Sequence, residues 1–443
     1  MKKISKAILG SALAIAASGI ASAQAVGIHG YMDYTNFAAA QEFKQASSSD
    51  WTASDCCAEF GSFYYGRTEI NANVTAANFV FNLGMRMNAS LGSWYDSYYV
   101  TKYATTGTDY TYFHQGNMRV GFFNDQLFVH TGKFEEWNDG YVFNGYQMGG
   151  QYVQELASRD AGQHITALEF IPRDITGLKL FAGIPVIPIY GNSVQVETSY
   201  NSWKNLYKTA KFAASYKVLP INTTFNVMFR PGTYYASKAY VTTSYFGEGM
   251  FQADMPTLIP YTKLNATYTI RYRENSDVNK YVTAHTFGAS AQIKPVQNLT
   301  INVEDRFAYA ADHYVATNDS LIYDALAIGA IYDIPQNGIA FGINTFFTYA
   351  QDTLGTWGTA SGNNSNTWTP DFAITSDWMT ACAAVTSGTT GRYIGAYGYP
   401  YFQKNFGNGY FRAGVEVQYT HYQTSDASQA VTYRVPLNFC FWY

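Results

Sequence analysis

The hydrophobic and polar positions of this chain alternate with a period of two, segment after segment. Phe79, Phe81, Leu83, Met85, Met87, Ala89 and Leu91 interleave with Val80, Asn82, Gly84, Arg86, Asn88 and Ser90, and just before them Gly66, Thr68, Ile70, Ala72 and Val74 interleave with Tyr65, Arg67, Glu69, Asn71 and Asn73. Successive side chains of a strand point to opposite faces, so each segment predicts a strand with one apolar and one polar side. The short stretch at Ala76-Ala77 makes the two a hairpin of about ten residues per strand. The same unit recurs with turns at Asn124-Asp125, Pro172 to Gly177, Leu219-Pro220, Lys294 to Asn298 and Pro335 to Gly338, where Pro, Asn and Gly supply the turn chemistry. Longer polar, Gly- and Ser-rich stretches separate the hairpins near 92–112, 135–163, 185–206 and 350–390.

Direct counting gives seventeen strands, an odd number that alternating short and long connections do not allow. The turn at 294–298 falls on the wrong side unless one more strand lies between Arg230 and Tyr261, and Thr233 to Phe246 is the candidate. The first strand is read over Val26 to Tyr34, followed by a loop to about Glu59. At the other end, Val431, Tyr433, Val435, Leu437, Phe439, Phe441 and Tyr443 form one wholly apolar face, against Thr432, Arg434, Pro436, Asn438, Cys440 and Trp442. No segment after the first thirty residues approaches the eighteen or so consecutive apolar residues of a membrane helix. A chain this polar overall, with a mean hydropathy of -0.17, can still cross a bilayer if its apolarity is alternated and its strands close on themselves, leaving no backbone group unpaired in lipid.

Long loops alternating with short turns, together with a terminal strand ending on Tyr443, resemble the bacterial outer-membrane β-barrels, and within them the porin class, over the whole of residues 24–443. The expected fold is therefore an all-β, transmembrane, antiparallel up-and-down barrel of about eighteen strands, sixteen being the alternative. The resemblance implies a single barrel domain in outer-membrane lipid. Phe439, Phe441 and Tyr443 would then be the signal read by the barrel-assembly machinery. It also implies a homotrimer.

The N-terminus agrees. Lys2, Lys3 and Lys6 precede an apolar run from Ala7 to Ile20, and Ala21-Ser22-Ala23 is a small-x-small site, so residues 1–23 read as a secretory signal cleaved after Ala23. Removing three cations and no acids takes the net charge from -4 to -7, which excludes nucleic-acid binding through bulk charge. Composition adds 39 Tyr and 30 Phe, residues suited to strands, with Tyr also favoured at bilayer interfaces. The four cysteines, Cys56, Cys57, Cys382 and Cys440, have no zinc spacing. In an oxidising compartment Cys56 or Cys57 could pair with Cys382, or all could stay free.

Catalytic motifs are missing: no Gly-x-Ser-x-Gly, no His-Glu-x-x-His, no phosphate loop and no dinucleotide fingerprint. The sequence indicates no enzyme, no cofactor and no metal site. Chemistry resides instead in charges on the polar faces. Arg67, Arg86 and Arg119 fall on the second to fourth strands and Arg412 and Arg434 on the last two, so closure gathers them into one basic sector of the lumen wall. Bland pairings such as Arg67 with Glu69, or Arg412 with Glu416, are the structural alternative. The third long loop carries Glu135, Glu136, Asp139, Glu155 and Asp160. In porins such a loop folds into the barrel and faces its acids against wall arginines, a transverse field that sorts solutes by charge. The resulting expectation is a channel for passive diffusion of small hydrophilic solutes. A surface adhesin using its long loops and a barrel-embedded hydrolase are the competing readings.

Overall fold

The structure is a computed structural model that describes residues 25–46, 50–53, 65–76, 78–89, 110–133, 164–186, 211–230, 244–275, 280–312, 320–352, 391–423 and 428–443. Among these residues strands dominate, in chain order β1 (Ala25–Ala46), β2 (Tyr65–Ala76), β3 (Phe79–Ala89), β4 (Tyr110–Phe122), β5 (Leu127–Lys133) and β6 (His164–Phe170). They continue with β7 (Leu178–Val186), β8 (Lys211–Val218), β9 (Thr223–Arg230), β10 (Ser244–Ile259), β11 (Thr262–Asn275) and β12 (Lys280–Ile293). The last six are β13 (Leu299–Asp312), β14 (Ser320–Ile334), β15 (Ile339–Asp352), β16 (Gly391–Phe406), β17 (Gly409–Gly414, resuming after Val415 as Glu416–Gln423) and β18 (Ser428–Trp442). Each pairs antiparallel with its chain neighbours, and β18 returns to β1 through a register running from Tyr31↔Trp442 to Ala46↔Ser428. The described residues thus form a closed, up-and-down barrel of eighteen strands. A two-residue piece, Thr52–Ala53, adds to the edge of β1 near Phe43 and Lys44.

The short connections fall where Pro, Asn and Gly predict them. Asn222 and Gly338 end the Leu219–Ile221 and Pro335–Asn337 turns in the left-handed region, and Asn298 at φ 68° closes the one before β13. Asn and Gly tolerate that region best, which is why they mark these positions.

Two expectations need correction. One further strand does lie between Arg230 and Tyr261, but it is β10, Ser244–Ile259, and only Ser244–Phe246 of the candidate Thr233–Phe246 belongs to it. The remainder of that candidate, 233–243, lies outside the described residues. The strand was hard to see because its two phases, Gly247, Gly249, Phe251, Ala253 against Glu248, Met250, Gln252, Asp254, contrast weakly, and Pro256 interrupts the ladder between Met255 and Ile259. The first strand does not stop at Tyr34 but runs to Ala46. A bulge between Phe37 and Ala40 shifts its phase, so no single alternation spans it.

The phases sort cleanly. On one side of the sheet, Ile28, Leu168, Val227, Phe287, Phe341 and Phe347 are exposed; on the other, Asn71, Asn117, Asn226, Gln252, Asn265, Asn344 and Gln403 are buried. In a closed sheet this inversion of the usual pattern means an apolar outer wall and a polar inner one. Gly342 on the inner phase of β15 lies beneath the Tyr401 ring of β16, and a side chain there would overlap that ring. Gly342→Val is therefore expected to lower stability by about 1–3 kcal/mol through overpacking. A urea titration of the folded barrel should show the shift in midpoint.

Candidate functional site

Because directly opposed residues on one face of an antiparallel pair lie about 5 Å apart, inward side chains of adjacent strands can bond around the circumference. They do so as amide bridges. Asn82 Nδ2 donates to Asn117 Oδ1 at 3.0 Å between β3 and β4, and Gln292 Nε2 to Asn302 Oδ1 at 3.2 Å between β12 and β13. From β9 to β11 the chain of donors runs Asn226 to Gln252 (3.4 Å) and Gln252 to Asn265 (3.5 Å).

Two charged clusters interrupt this polar lining. On β4–β6, Arg119 Nε donates to Glu169 Oε2 at 3.0 Å, and His130 Nε2 lies 2.7 Å from the same oxygen. The Arg119 guanidinium stands 3.3 Å from the centroid of Phe128, so the aromatic face and the carboxylate together hold it. Beside the closure, Arg434 Nη1 donates to Glu416 Oε1 at 2.8 Å between β18 and β17. Arg412 donates twice to Gln403 Oε1, at 3.0 and 2.8 Å, with its guanidinium 4.2 Å from the Tyr401 centroid and 4.8 Å from that of Tyr410. Tyr401 in turn lies 5.2 Å from Tyr399, ring to ring.

An apolar exterior, a polar and charged interior and a closed backbone ladder decide the class. The chain is a membrane-spanning β-barrel. Its likeness is to outer-membrane channels. It is similar to the outer membrane channel DcaP of Acinetobacter baumannii, at 9% identity and a TM-score of 0.47 over 94% of this chain and 97% of that one. It is similar also to OccAB4 of Acinetobacter baumannii (9%, 0.46, covering 95% and 99%) and to OccK11 of Pseudomonas aeruginosa (8%, 0.44, covering 94% and 96%). No family model and no curated protein matches the sequence. At such identities nothing about cargo passes from those barrels to this one.

Of the arginines singled out in the sequence, Arg67 and Arg86 take diagonal positions on neighbouring strands, Arg67 opposite Asn88 and Arg86 opposite Glu69. Arg67 also stands opposite Asp33 of β1. Arg119 is opposite Val80, at the short-turn end of β3, well below Arg86 along that strand. Arg434 is opposite Ala40 of β1, and Arg412 opposite Asn438. The partner of Glu416 is Arg434, not Arg412. The loop acids Glu135, Glu136, Asp139, Glu155 and Asp160, the leader 1–23, and Cys56, Cys57 and Cys382 lie outside the described residues. Cys440 is buried and forms no disulfide among the described residues.

Sequence reasoning missed Glu169, His130, Gln403 and Tyr401. Glu169 could have been found: it holds the inward phase between Leu168 and Phe170, one strand beyond the phase of His130. A second omission is the row Arg230, Glu248, Arg271, which the registers of β9, β10 and β11 place side by side. It was invisible while β10 was misplaced.

Proposed function

We propose that this barrel is an outer-membrane channel for passive diffusion of small hydrophilic solutes. The observation that carries this is the inner wall, where amides and ion pairs line a sheet of eighteen strands. Barrels of eight strands fill their interior with side chains, whereas those of sixteen to eighteen leave room for an aqueous path. Solutes would be sorted by width and by the lumen charges, without a covalent step. In this reading, residues 1–23 direct export and are cleaved after Ala23, residues 24–443 form the one barrel domain, and Phe439, Phe441 and Tyr443 serve the assembly machinery.

Purified protein added to a planar bilayer should give discrete conductance steps, and persistent silence over many insertions would sink the reading. Selectivity is assigned to Arg67, Arg86 and Arg119 opposing the acids Glu135, Glu136, Asp139 and Glu155. Removing wall cations weakens attraction for anions, so the combined Arg67→Ala, Arg86→Ala, Arg119→Ala protein should shift the reversal potential in a salt gradient toward cation selectivity. An unmoved reversal potential would refute the basic sector while leaving the channel intact.

A further inference from the structure

Three arginines of the inner wall are already engaged. Arg119 is held by Glu169 and Phe128, Arg412 by Gln403 and two tyrosine rings, and Arg434 by Glu416. A cation clamped in this way has little attraction left for a passing solute. Three lysines differ. Lys179, Lys217 and Lys263 are exposed, and none makes a hydrogen bond or an ion pair among the described residues. Register puts all three on the inner face. Lys179 stands opposite Ser215, itself opposite the buried inner Asn226, and Lys217 stands opposite Thr224, two residues from Asn226. Lys263 shares its phase with the buried Asn265 and Thr267, while Leu180 and Tyr216, next to the other two lysines, take the outer wall. Each lysine is one residue in from the short-turn end of its strand: Lys179 after Leu178, Lys217 before Val218 and Lys263 after Thr262. They therefore line the short-turn mouth. Lys179 and Lys217 are diagonal neighbours, rooted about 7–8 Å apart. From Lys217 the row runs through Thr224 to Asp254, and Lys263 is diagonal to Asp254 across β10 and β11. Asp254 lies within electrostatic reach of both Lys217 and Lys263, and Asp174 follows Arg173 on the turn before β7. Along this arc from β7 to β11 the cations outnumber the acids.

We propose that this lysine arc is a binding site for polyvalent oxyanions at the short-turn mouth of the channel. An ammonium group offers three N–H donors and no acceptor, so its natural partner is an oxyanion. Lysine stems are long and flexible, and two of them rooted about 7–8 Å apart can bring their heads onto one anion. A singly charged anion would leave one of the two heads uncompensated. An anion with two or three charges compensates both, so the pair Lys179 and Lys217 favours the higher charge. Lys263 extends the attraction to the other flank, with Asp254 keeping it and Lys217 from repelling one another across the gap. Because the heads stand in water at the mouth, salt screens them, and the site holds its anion weakly enough to let it go. The inference deepens the channel reading and rests on it.

The test uses the full-length chain in planar bilayers bathed in dilute potassium chloride. Inorganic phosphate and, in a parallel arm, citrate should reduce the current along a saturating curve. The stronger of the two names the source, a phosphorylated solute or a polycarboxylate. The combined Lys179→Gln, Lys217→Gln, Lys263→Gln protein should need about tenfold more of that anion for half block, the loss expected from three exposed charge contacts. Lys404→Gln removes a cation at the same end but in the outer phase, two residues from Phe402, which faces the exposed Phe341. It should block like the native chain. A current that neither anion blocks, a block that grows without saturating, an unchanged half-block in the triple variant or an equal loss in Lys404→Gln would each overturn the site. Heat-modifiable gel migration establishes that the triple variant is folded; should it not fold, Lys217→Gln alone must raise the half-blocking concentration. Discrete steps that neither anion blocks would remove this site and leave the channel, whereas a lack of steps would remove both.

Discussion

Arg434→Ala should destabilise the barrel by about 3–5 kcal/mol, the usual effect of removing one partner from a largely buried ion pair. The side chains of Arg434 and Glu416 are only 16% and 13% exposed, and their 2.8 Å bond links β18 to β17 next to the strand that closes the sheet. Truncating the arginine leaves a carboxylate with its hydration already stripped away. The loss therefore exceeds what the pair itself contributes over an apolar substitute. Replacing both, as Arg434→Met with Glu416→Leu, should restore most of the stability, because it removes the desolvated charge along with its partner. Urea titrations of the two single variants and the double variant give the coupling directly. A coupling near zero would mean that water reaches Glu416 and that the pair is only a lumen decoration.

The second large effect tests the outer wall. Ile328 is exposed at mid-strand on β14, between Val303 and Thr345, whereas Ile322 on the same outward phase lies near the loop end, between Tyr309 and Gln351. Ile328→Arg should cost about 2–4 kcal/mol for folding into phospholipid vesicles, while Ile322→Arg should cost about 0–1 kcal/mol, since a guanidinium near the interface can reach headgroup water. The contrast between the two matters more than either value. Equal, small effects would show that this face does not meet hydrocarbon, and the membrane placement would fall.

Both predictions rest on facts of different legibility. The phase of Arg434 was readable from Val431 to Tyr443 because alternation is a local property. Its partner was not. The sequence allowed Glu416 to go to Arg412, four residues away on the same strand, and the ladder gave it to Arg434 across the hairpin. Distance explains the choice: the register sets Glu416 directly opposite Arg434, about 5 Å away, whereas four residues along one extended strand span about 13 Å. Similarly, Arg119 was correctly phased, yet Glu169, separated from it by β5, could be matched to it only once the registers of β4, β5 and β6 were known. Whether Arg119 stands level with Arg67 and Arg86 is a matter of height, and height depends on register.

The chain by itself determined its strands, its turns and which side of each strand is apolar. A period of two and the demands of Pro, Asn and Gly act within a few residues and need no partner to be read. The tertiary structure alone decided where phase breaks. The bulge between Phe37 and Ala40 let β1 run on to Ala46 and take β18 as its neighbour, and β10 gained its place from ladders on both sides in spite of a weak pattern. Only closure made one face an inner wall and the other an outer one. It turned a row of alternating residues into ion pairs such as Arg434 with Glu416. The reason is that hydrogen-bond register is a property of pairs of strands, and a single inserted residue changes it without leaving a mark in either strand's composition.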